Sequence, residues 1–225
     1  MRAVAAARNL DWDQMSDMDD RTATYYTQHA EQIAPHYDSL HPLPGKLAHR
    51  VFDAGMRVLD VGCGSGRDVA QLLALGCDAY GAEPTAALRR QAETRHPELA
   101  GRLSDAALPA LGQPFGGNFD GVPCSAVLMH LPKAEILNAA ISLRSVLKEN
   151  GRLILSVPID RPGLDWDHRD AAGRLFTPLA PDCLQLLFER SGFNLLEKWE
   201  SPDAQGRAGH SWCTFLFGAQ CPVHL

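Results

Sequence analysis

The chain has 225 residues, 45% hydrophobic and 21% charged, which is enough apolar content for a substantial core and excludes both a disordered tail and a disulfide-stapled miniprotein. Its 27 acidic residues outnumber 21 basic ones for a formal charge of −6, which argues against a large electropositive face for gripping nucleic acid. The six cysteines, Cys63, Cys77, Cys124, Cys183, Cys213 and Cys221, form no CxxC pair, so spacing supports neither a zinc knuckle nor a dithiol redox motif, and reduced thiols in a cytoplasm are expected.

The opening MRAVAAARNLDWDQ has too short an apolar stretch for a secretion-signal core. No apolar run reaches the roughly 20 residues of a membrane helix, so a soluble protein without a membrane partner is expected. Residues 11–20, DWDQMSDMDD, carry five acids and no base and read as a flexible entry or the acidic first turn of a helix. The spacing of Tyr25, Tyr26, Ala30, Ile33 and Ala34 predicts one helix over Ser16 to Tyr37, and a second follows over about Lys46 to Phe52 after Pro42 and Pro44. Residues 1–45 are thus a flexible start with a helical cap, and 46–225 the main domain.

Beyond Gly55, short apolar runs alternate with helical stretches, as in a parallel sheet covered on both faces. Strands are expected over Met56–Val61, Cys77–Glu83, a weak Gly101–Ser104, Asn118–Ser125 and Arg152–Val157. Helices are expected over Arg67–Leu75, Pro84–Arg95 and Lys133–Lys148, the first ended by Gly76 and the last by Asn150 and Gly151. After Pro158 comes an irregular polar stretch, DRPGLDWDHRDAAGRLFTPL, long enough to suggest a lid or substrate loop. Pro181–Arg190 reads as a helix, and Phe193–Trp199 and Ser211–Phe217 as an edge hairpin. Gly121 and Pro123 predict a local bulge or an early end in the fourth strand, since proline cannot donate to a central ladder.

The most informative stretch is RVLDVGCGSGRD, residues 57–68, where a buried strand runs into Gly62, Gly64 and Gly66 and then a helix. Glycine permits positive φ and removes the β-carbon that would hold a ligand away, while the helix that follows presents free N–H groups. Glu83, seventeen residues past Gly66 at the end of the second strand, stands where a carboxylate accepts from both hydroxyls of a ribose. The loop reads D-x-G-x-G-x-G rather than the dinucleotide G-x-G-x-x-G, and Asp60 would repel a pyrophosphate but suit an ammonium group. The alternative is that the three glycines serve packing only.

VLDVGCGSGRD, AYGAEPT, LSDAALP, FDGVPCSAVLMHLP and LKENGRLILSVP stand in the order and spacing of class I S-adenosylmethionine-dependent methyltransferases, which residues 50–218 resemble. The resemblance implies a Rossmann-like α/β fold with a seven-stranded, mostly parallel sheet of order 3-2-1-4-5-7-6, strand seven antiparallel, and the cofactor across the carboxyl ends of strands one, two and four. It implies that the backbone of Gly62, Cys63 and Gly64 approaches the methionyl part, with Asp60 near its amino group, Glu83 on the ribose and Pro84 near the adenine. Asp105 matches the acid that accepts from the adenine amino group, with the Ala106 N–H beside it; a helix N-cap before AALPAL is the other reading of Asp105. Cys124 and Ser125 face the methionine end, Cys124 without assigned chemistry, and Tyr25 or, in particular, Tyr26 would cover the cofactor unless it serves helix packing.

The implied reaction is methyl transfer from S-adenosylmethionine to an unidentified acceptor, with S-adenosylhomocysteine as product. Alignment of the nucleophile and exclusion of water would supply most of the catalysis. The acceptor is expected to be a small molecule, since the chain lacks both an N-P-P-[YF] tetrapeptide and an added RNA-binding domain. His130 matches a family position often held by His and reads as structural more than catalytic. For an anionic acceptor, Arg169 or Arg174 in the polar stretch would supply the guanidinium fork, with Arg207 and His210 ranked lower because their hairpin should lie toward the opposite end or rim of the sheet. A non-catalytic S-adenosylmethionine-binding regulatory or partner protein and an NAD(P)-dependent oxidoreductase remain the other readings.

Overall fold

The computed structural model describes residues 19–40, 44–203 and 205–220. Seven strands, β1 (Arg57–Val61), β2 (Asp78–Ala82), β3 (Leu103–Ser104), β4 (Phe119–Ser125), β5 (Leu147–Asp160), β6 (Phe193–Pro202) and β7 (Ser211–Ala219), form one sheet of order β3-β2-β1-β4-β5-β7-β6. β7 is antiparallel to both neighbours and the pairs β1–β2, β2–β3, β1–β4 and β4–β5 are parallel, the topology that the resemblance implied. Among the described residues six α-helices accompany it: α1 (Asp20–Ser39), α2 (Pro44–Val51), α3 (Arg67–Ala74), α4 (Ala86–Arg95), α5 (Ile136–Val146) and α6 (Pro181–Arg190).

The apolar run RVLDV is buried from Val58 to Val61 because both faces of β1 are covered. Its successive side chains part by the two-residue period of a strand: Leu59 joins Val122, Leu143 and Phe188 on one face, and Val58 joins Phe52, Val69 and Leu72 on the other. α1 packs outside this frame against α4 through Ala30, Ile33 and Leu88.

Several boundaries differ from expectation. α1 starts at Asp20 rather than Ser16, because the Asp19 carboxylate caps it by accepting from the Thr22 N–H at 3.0 Å; the rest of the acidic entry lies outside the described residues. α4 starts at Ala86, two residues after Pro84. α5 ends at Val146 and β5 begins at Leu147, five residues before the expected Arg152. Asn150 and Gly151, a helix stop by composition, instead sit in an irregularity of the β4–β5 ladder, with Asn150 at φ +61°.

That irregularity falls between Phe119 and Gly121, and Gly121 to Ser125 then pair in unbroken register with Arg152 to Ser156. Pro123 stands inside the run opposite Ile154, so the strand neither bulges nor ends at the proline. Gly121 has a packing reason, since a β-carbon there would lie 2.1 Å from Cε1 of Phe52.

Because β6 is antiparallel to β7, it runs in the same sense as β5, and its end Pro202 pairs with Ser211 at the start of β7. The hairpin between them therefore hangs over the carboxyl edge of the sheet. This corrects the expectation that Arg207 and His210 lie toward its opposite end.

Candidate active site

A cavity of about 470 Å³ opens at the carboxyl edge where the strand order reverses between β1 and β4. The loop from β1 to α3 forms part of its floor. Gly62 has φ +73° and a β-carbon there would lie 2.4 Å from Cγ2 of Val127, so only glycine lets the loop pass beneath that side chain. Gly66 serves packing instead, its missing β-carbon leaving room for Leu99 and Ala92.

The loop's own donors are largely engaged. The N–H groups of Gly62 and Cys63 both donate to the Ala82 carbonyl at 2.8 and 3.2 Å, that of Gly66 to the Cys63 carbonyl at 2.9 Å, and that of Gly64 to Oε2 of Glu83 at 3.1 Å. The floor thus offers close, bare main chain whose own N–H groups at Gly62, Cys63, Gly64 and Gly66 are engaged within the protein.

Three carboxylates line this end, Asp60, Asp68 and Glu83, with Arg67 as their neighbouring cation. Asp60 and Glu83 are buried, each 5% exposed. Burial pushes the Asp60 carboxyl well above its usual range, and the charges of Asp68 and Glu83 add to that. Burial also raises Glu83, against the opposing pull of the Thr85 and Gly64 N–H groups it accepts from. Arg67 forks onto Asp68 at 2.7 and 2.9 Å and donates to the Tyr37 carbonyl at 2.7 Å, tying α3 to the end of α1. A cation in the cavity would relieve this crowding of negative charge; a pyrophosphate would worsen it.

Tyr26 and Tyr37 of α1 also line the cavity, and burial raises both hydroxyls above their usual range. His130 follows β4 in the turn Leu128–His130 and is 5% exposed. Its Nδ1 lies 2.7 Å from the Leu175 carbonyl and its Nε2 3.1 Å from the Tyr26 hydroxyl. A carbonyl only accepts, so Nδ1 carries the proton and Nε2 accepts from Tyr26. Burial holds the ring down to about 4, and the charges of Arg174 and Arg161 push the same way, so it is neutral at pH 7.

The long polar stretch after β5 folds across this roof. Leu175 N–H donates to Oγ1 of Thr22 at 2.9 Å, and Arg169 forks onto Asp19 at 2.9 and 2.7 Å. Arg169 is therefore a clasp between loop and α1, not a wall of the cavity, whereas Arg174 does line it. Arg161, Phe176, Arg207 and Trp212 line it as well.

Of the expected site residues, Tyr26, Asp60, Gly62, Cys63, Gly64, Glu83, Pro84, Ala106 and Ser125 come together around the one cavity. Asp105 is exposed beside it, and no helix follows for Asp105 to cap. Cys124 is fully buried, with burial raising its thiol, behind the lining residue Ser125. Arg161 lines the cavity without having been singled out by the sequence, and Arg207, ranked low there, is brought to this edge by the running direction of β6. Among the described residues there is no His, Cys, Asp and Glu cluster able to hold a metal ion, and no helix is long and apolar enough to cross a membrane.

A family model described as a methyltransferase domain matches residues 29–198. The chain is 28% identical over 154 residues to the O-methyltransferase cnsE of Penicillium expansum, a match covering 64% of this chain and 54% of that protein, so the chain spans about half the length of the curated relative it matches. A candidate sarcosine dimethylglycine methyltransferase from Galdieria sulphuraria superposes with a TM-score of 0.67 at 16% identity, covering 90% of this chain and 99% of the other. The 1,6-didemethyltoxoflavin-N1-methyltransferase of Burkholderia thailandensis, with 1,6-didemethyltoxoflavin and S-adenosylhomocysteine bound, superposes with a TM-score of 0.62 at 20% identity, covering 90% and 80%. These structural likenesses concern the fold.

Proposed function

This chain belongs to the class I S-adenosylmethionine-dependent methyltransferases, and from that premise we propose that it transfers a methyl group to a small-molecule acceptor seated in the same cavity. Its cofactor is S-adenosylmethionine, and S-adenosylhomocysteine is the product. The observation that carries the reading is the pairing of close main chain at Gly62 to Gly64 with two buried carboxylates, Asp60 and Glu83, that have no ion-pair partner among the described residues, Arg67 being engaged by Asp68. That donor set fits a ligand bearing an ammonium and a sulfonium on a nucleoside, and it disfavours the dinucleotide alternative.

Asp60 would receive the ammonium group, and the Gly62–Gly64 backbone would lie along the methionyl chain. Glu83, each of whose oxygens accepts one backbone bond, keeps lone pairs for the two ribose hydroxyls. Pro84 and Ala106 would flank the adenine, and Tyr26 and Tyr37 would close over it. When bound, the cofactor supplies an electrophilic methyl carbon on its sulfonium.

The chain's own contribution is position and dryness. With cofactor and acceptor in place, the roof of α1 and the 161–180 loop would shield them from water, which would sharpen the charge interactions beneath it. His130 accepts from the Tyr26 hydroxyl through a neutral Nε2, which would fix the direction of that hydroxyl and leave its oxygen free to accept from the methyl acceptor. The O-methyltransferase cnsE and the 1,6-didemethyltoxoflavin-N1-methyltransferase, one named for oxygen and the other for a nitrogen of a small molecule, support a small-molecule acceptor without choosing its atom.

The test is incubation with S-adenosylmethionine and a panel of small hydroxy, amino and ring-nitrogen compounds, read by mass spectrometry. A product heavier by one methylene, formed one for one with S-adenosylhomocysteine, is expected. Cofactor binding with no product across a wide panel would favour a regulatory binding protein instead.

A further inference from the structure

The cavity is electrically divided. Its β1–β2 side carries Asp60, Asp68 and Glu83 with Arg67, and its β5–β7–β6 side carries Arg161, Arg174 and Arg207 with Asp203. On the second side the carboxylates are already committed. Asp203 takes Arg207 at 2.9 and 2.6 Å and also accepts from Nε1 of Trp212 at 2.9 Å, which builds the β6–β7 hairpin. Asp170, behind the wall, serves two guanidinium groups through one oxygen: Arg174 at 2.9 and 2.6 Å and Arg161 at a long 3.3 Å.

Arg161 is left under-served. Its side chain is 12% exposed, its Nε is buried with no hydrogen-bond partner, and its guanidinium sits 3.5 Å over the Phe176 ring. Burial and the charges of Arg174 and Arg207 all lower its affinity for its proton, the mark of a cation held among cations. Three guanidinium groups meet two carboxylates on this side among the described residues, so one positive charge must share its counterion, Arg161 reaching Asp170 only at 3.3 Å on the oxygen that Arg174 holds at 2.6 Å. Folding alone gives no reason to place it there, because an under-paired buried charge is costly.

We propose that the methyl acceptor carries an oxyanion, a carboxylate or a phosphate, on an otherwise apolar body, and that Arg161 with Arg174 recognises it. This rests on the methyltransferase reading, which places the acceptor beyond the cofactor in the same cavity. Guanidinium donors match the planar geometry of a carboxylate, and Phe176, Trp212 and Met129 offer the apolar body its walls. The acidic side would repel the same anion, so the division also sets the acceptor's orientation.

The protein saturated with S-adenosylhomocysteine is titrated at fixed ionic strength with benzoate and with benzamide, its neutral isostere. Benzoate is expected to bind at least tenfold tighter. Arg161→Gln should abolish that preference while S-adenosylhomocysteine affinity stays within about twofold, which also reports that the variant is folded. Displacement of benzoate by inorganic phosphate would support a phosphoryl acceptor, and failure to displace it a carboxylate. Equal binding of the two probes to the wild type, binding of neither, or a preference kept in Arg161→Gln would overturn the proposal. If S-adenosylhomocysteine itself fails to bind the wild type, the cofactor reading falls instead, so the two failures are distinguishable.

Discussion

The hydroxyl of Tyr26 donates to Nε2 of His130 across 3.1 Å, and the other ring nitrogen donates to the Leu175 carbonyl, so a single imidazole joins the roof helix to the loop that closes the site. A proton on Nε2 would turn the first of these bonds round, the ring then donating to the Tyr26 oxygen, and would bury a further positive charge beside Arg174 and Arg161. The ring's depressed pKa, about 4, is therefore part of the architecture.

His130 makes stability depend on pH in a calculable direction. The unfolded ring takes up a proton near 6.5 and the native ring only near 4, so the unfolded state binds more protons between these values. The contribution is complete above pH 6.5 and is lost as pH falls toward 4. Between pH 7 and 4.5 this amounts to roughly 2–3 kcal/mol. Urea unfolding should show the wild type losing about that much more than His130→Gln over the interval; parallel losses would mean the ring is not buried neutral.

Glu83 bonds the Gly64 and Thr85 N–H groups, so it links the glycine loop to the start of α4 as well as facing the cavity. Removing it leaves two buried donors unpaired and deletes the ribose acceptor. Glu83→Ala should weaken S-adenosylhomocysteine binding by about 1–3 kcal/mol, and Glu83→Gln, which keeps one acceptor oxygen, by less. Calorimetry on folded variants decides this, and unchanged affinity in Glu83→Ala would remove the ribose assignment.

Gly62→Ala is expected to cost about 1–3 kcal/mol of stability, because its methyl would meet Cγ2 of Val127 at 2.4 Å from a backbone at φ +73°. Val127→Ala in the same chain should recover the crowding part and leave the backbone part. A double-mutant cycle by denaturant unfolding measures the coupling, and strict additivity of the two changes would show that the side chains do not touch.

The bidentate pair of Arg169 with Asp19 holds Asp19 down to about 2 and is 18% and 14% exposed, sheltered enough to matter for closure. Arg169→Ala should open the roof. The expected signature is faster amide exchange across residues 161–180 and α1, with S-adenosylhomocysteine leaving several-fold faster. Unaltered exchange would show that Thr22 and His130 hold the loop without the clasp.

What was legible in the sequence divides along physical lines. Gly62, Gly64, Asp60 and Glu83 were readable because close main chain and a carboxylate at the tip of the adjacent strand are local requirements that spacing records. The end of α5 was not, because Asn150 and Gly151 satisfy a helix stop and a ladder irregularity equally well by composition. Arg169 and Arg161 stand eight residues apart in one polar stretch, and which of them faces inward depends on Asp19 and Phe176, contacts that spacing does not record. Arg207 reaches the cavity because β6 is antiparallel to β7 and so runs in the sense of β5, a direction that belongs to the topology and not to the residues of the hairpin.

The most direct test of the central claim is calorimetric titration of the folded chain with S-adenosylmethionine, S-adenosylhomocysteine and NADH in turn. One-to-one binding of the first two and no heat from the third are expected, because the acidic side of the cavity at Asp60, Asp68 and Glu83 disfavours a pyrophosphate. Saturable NADH binding with neither sulfur-bearing nucleoside engaged would contradict that claim.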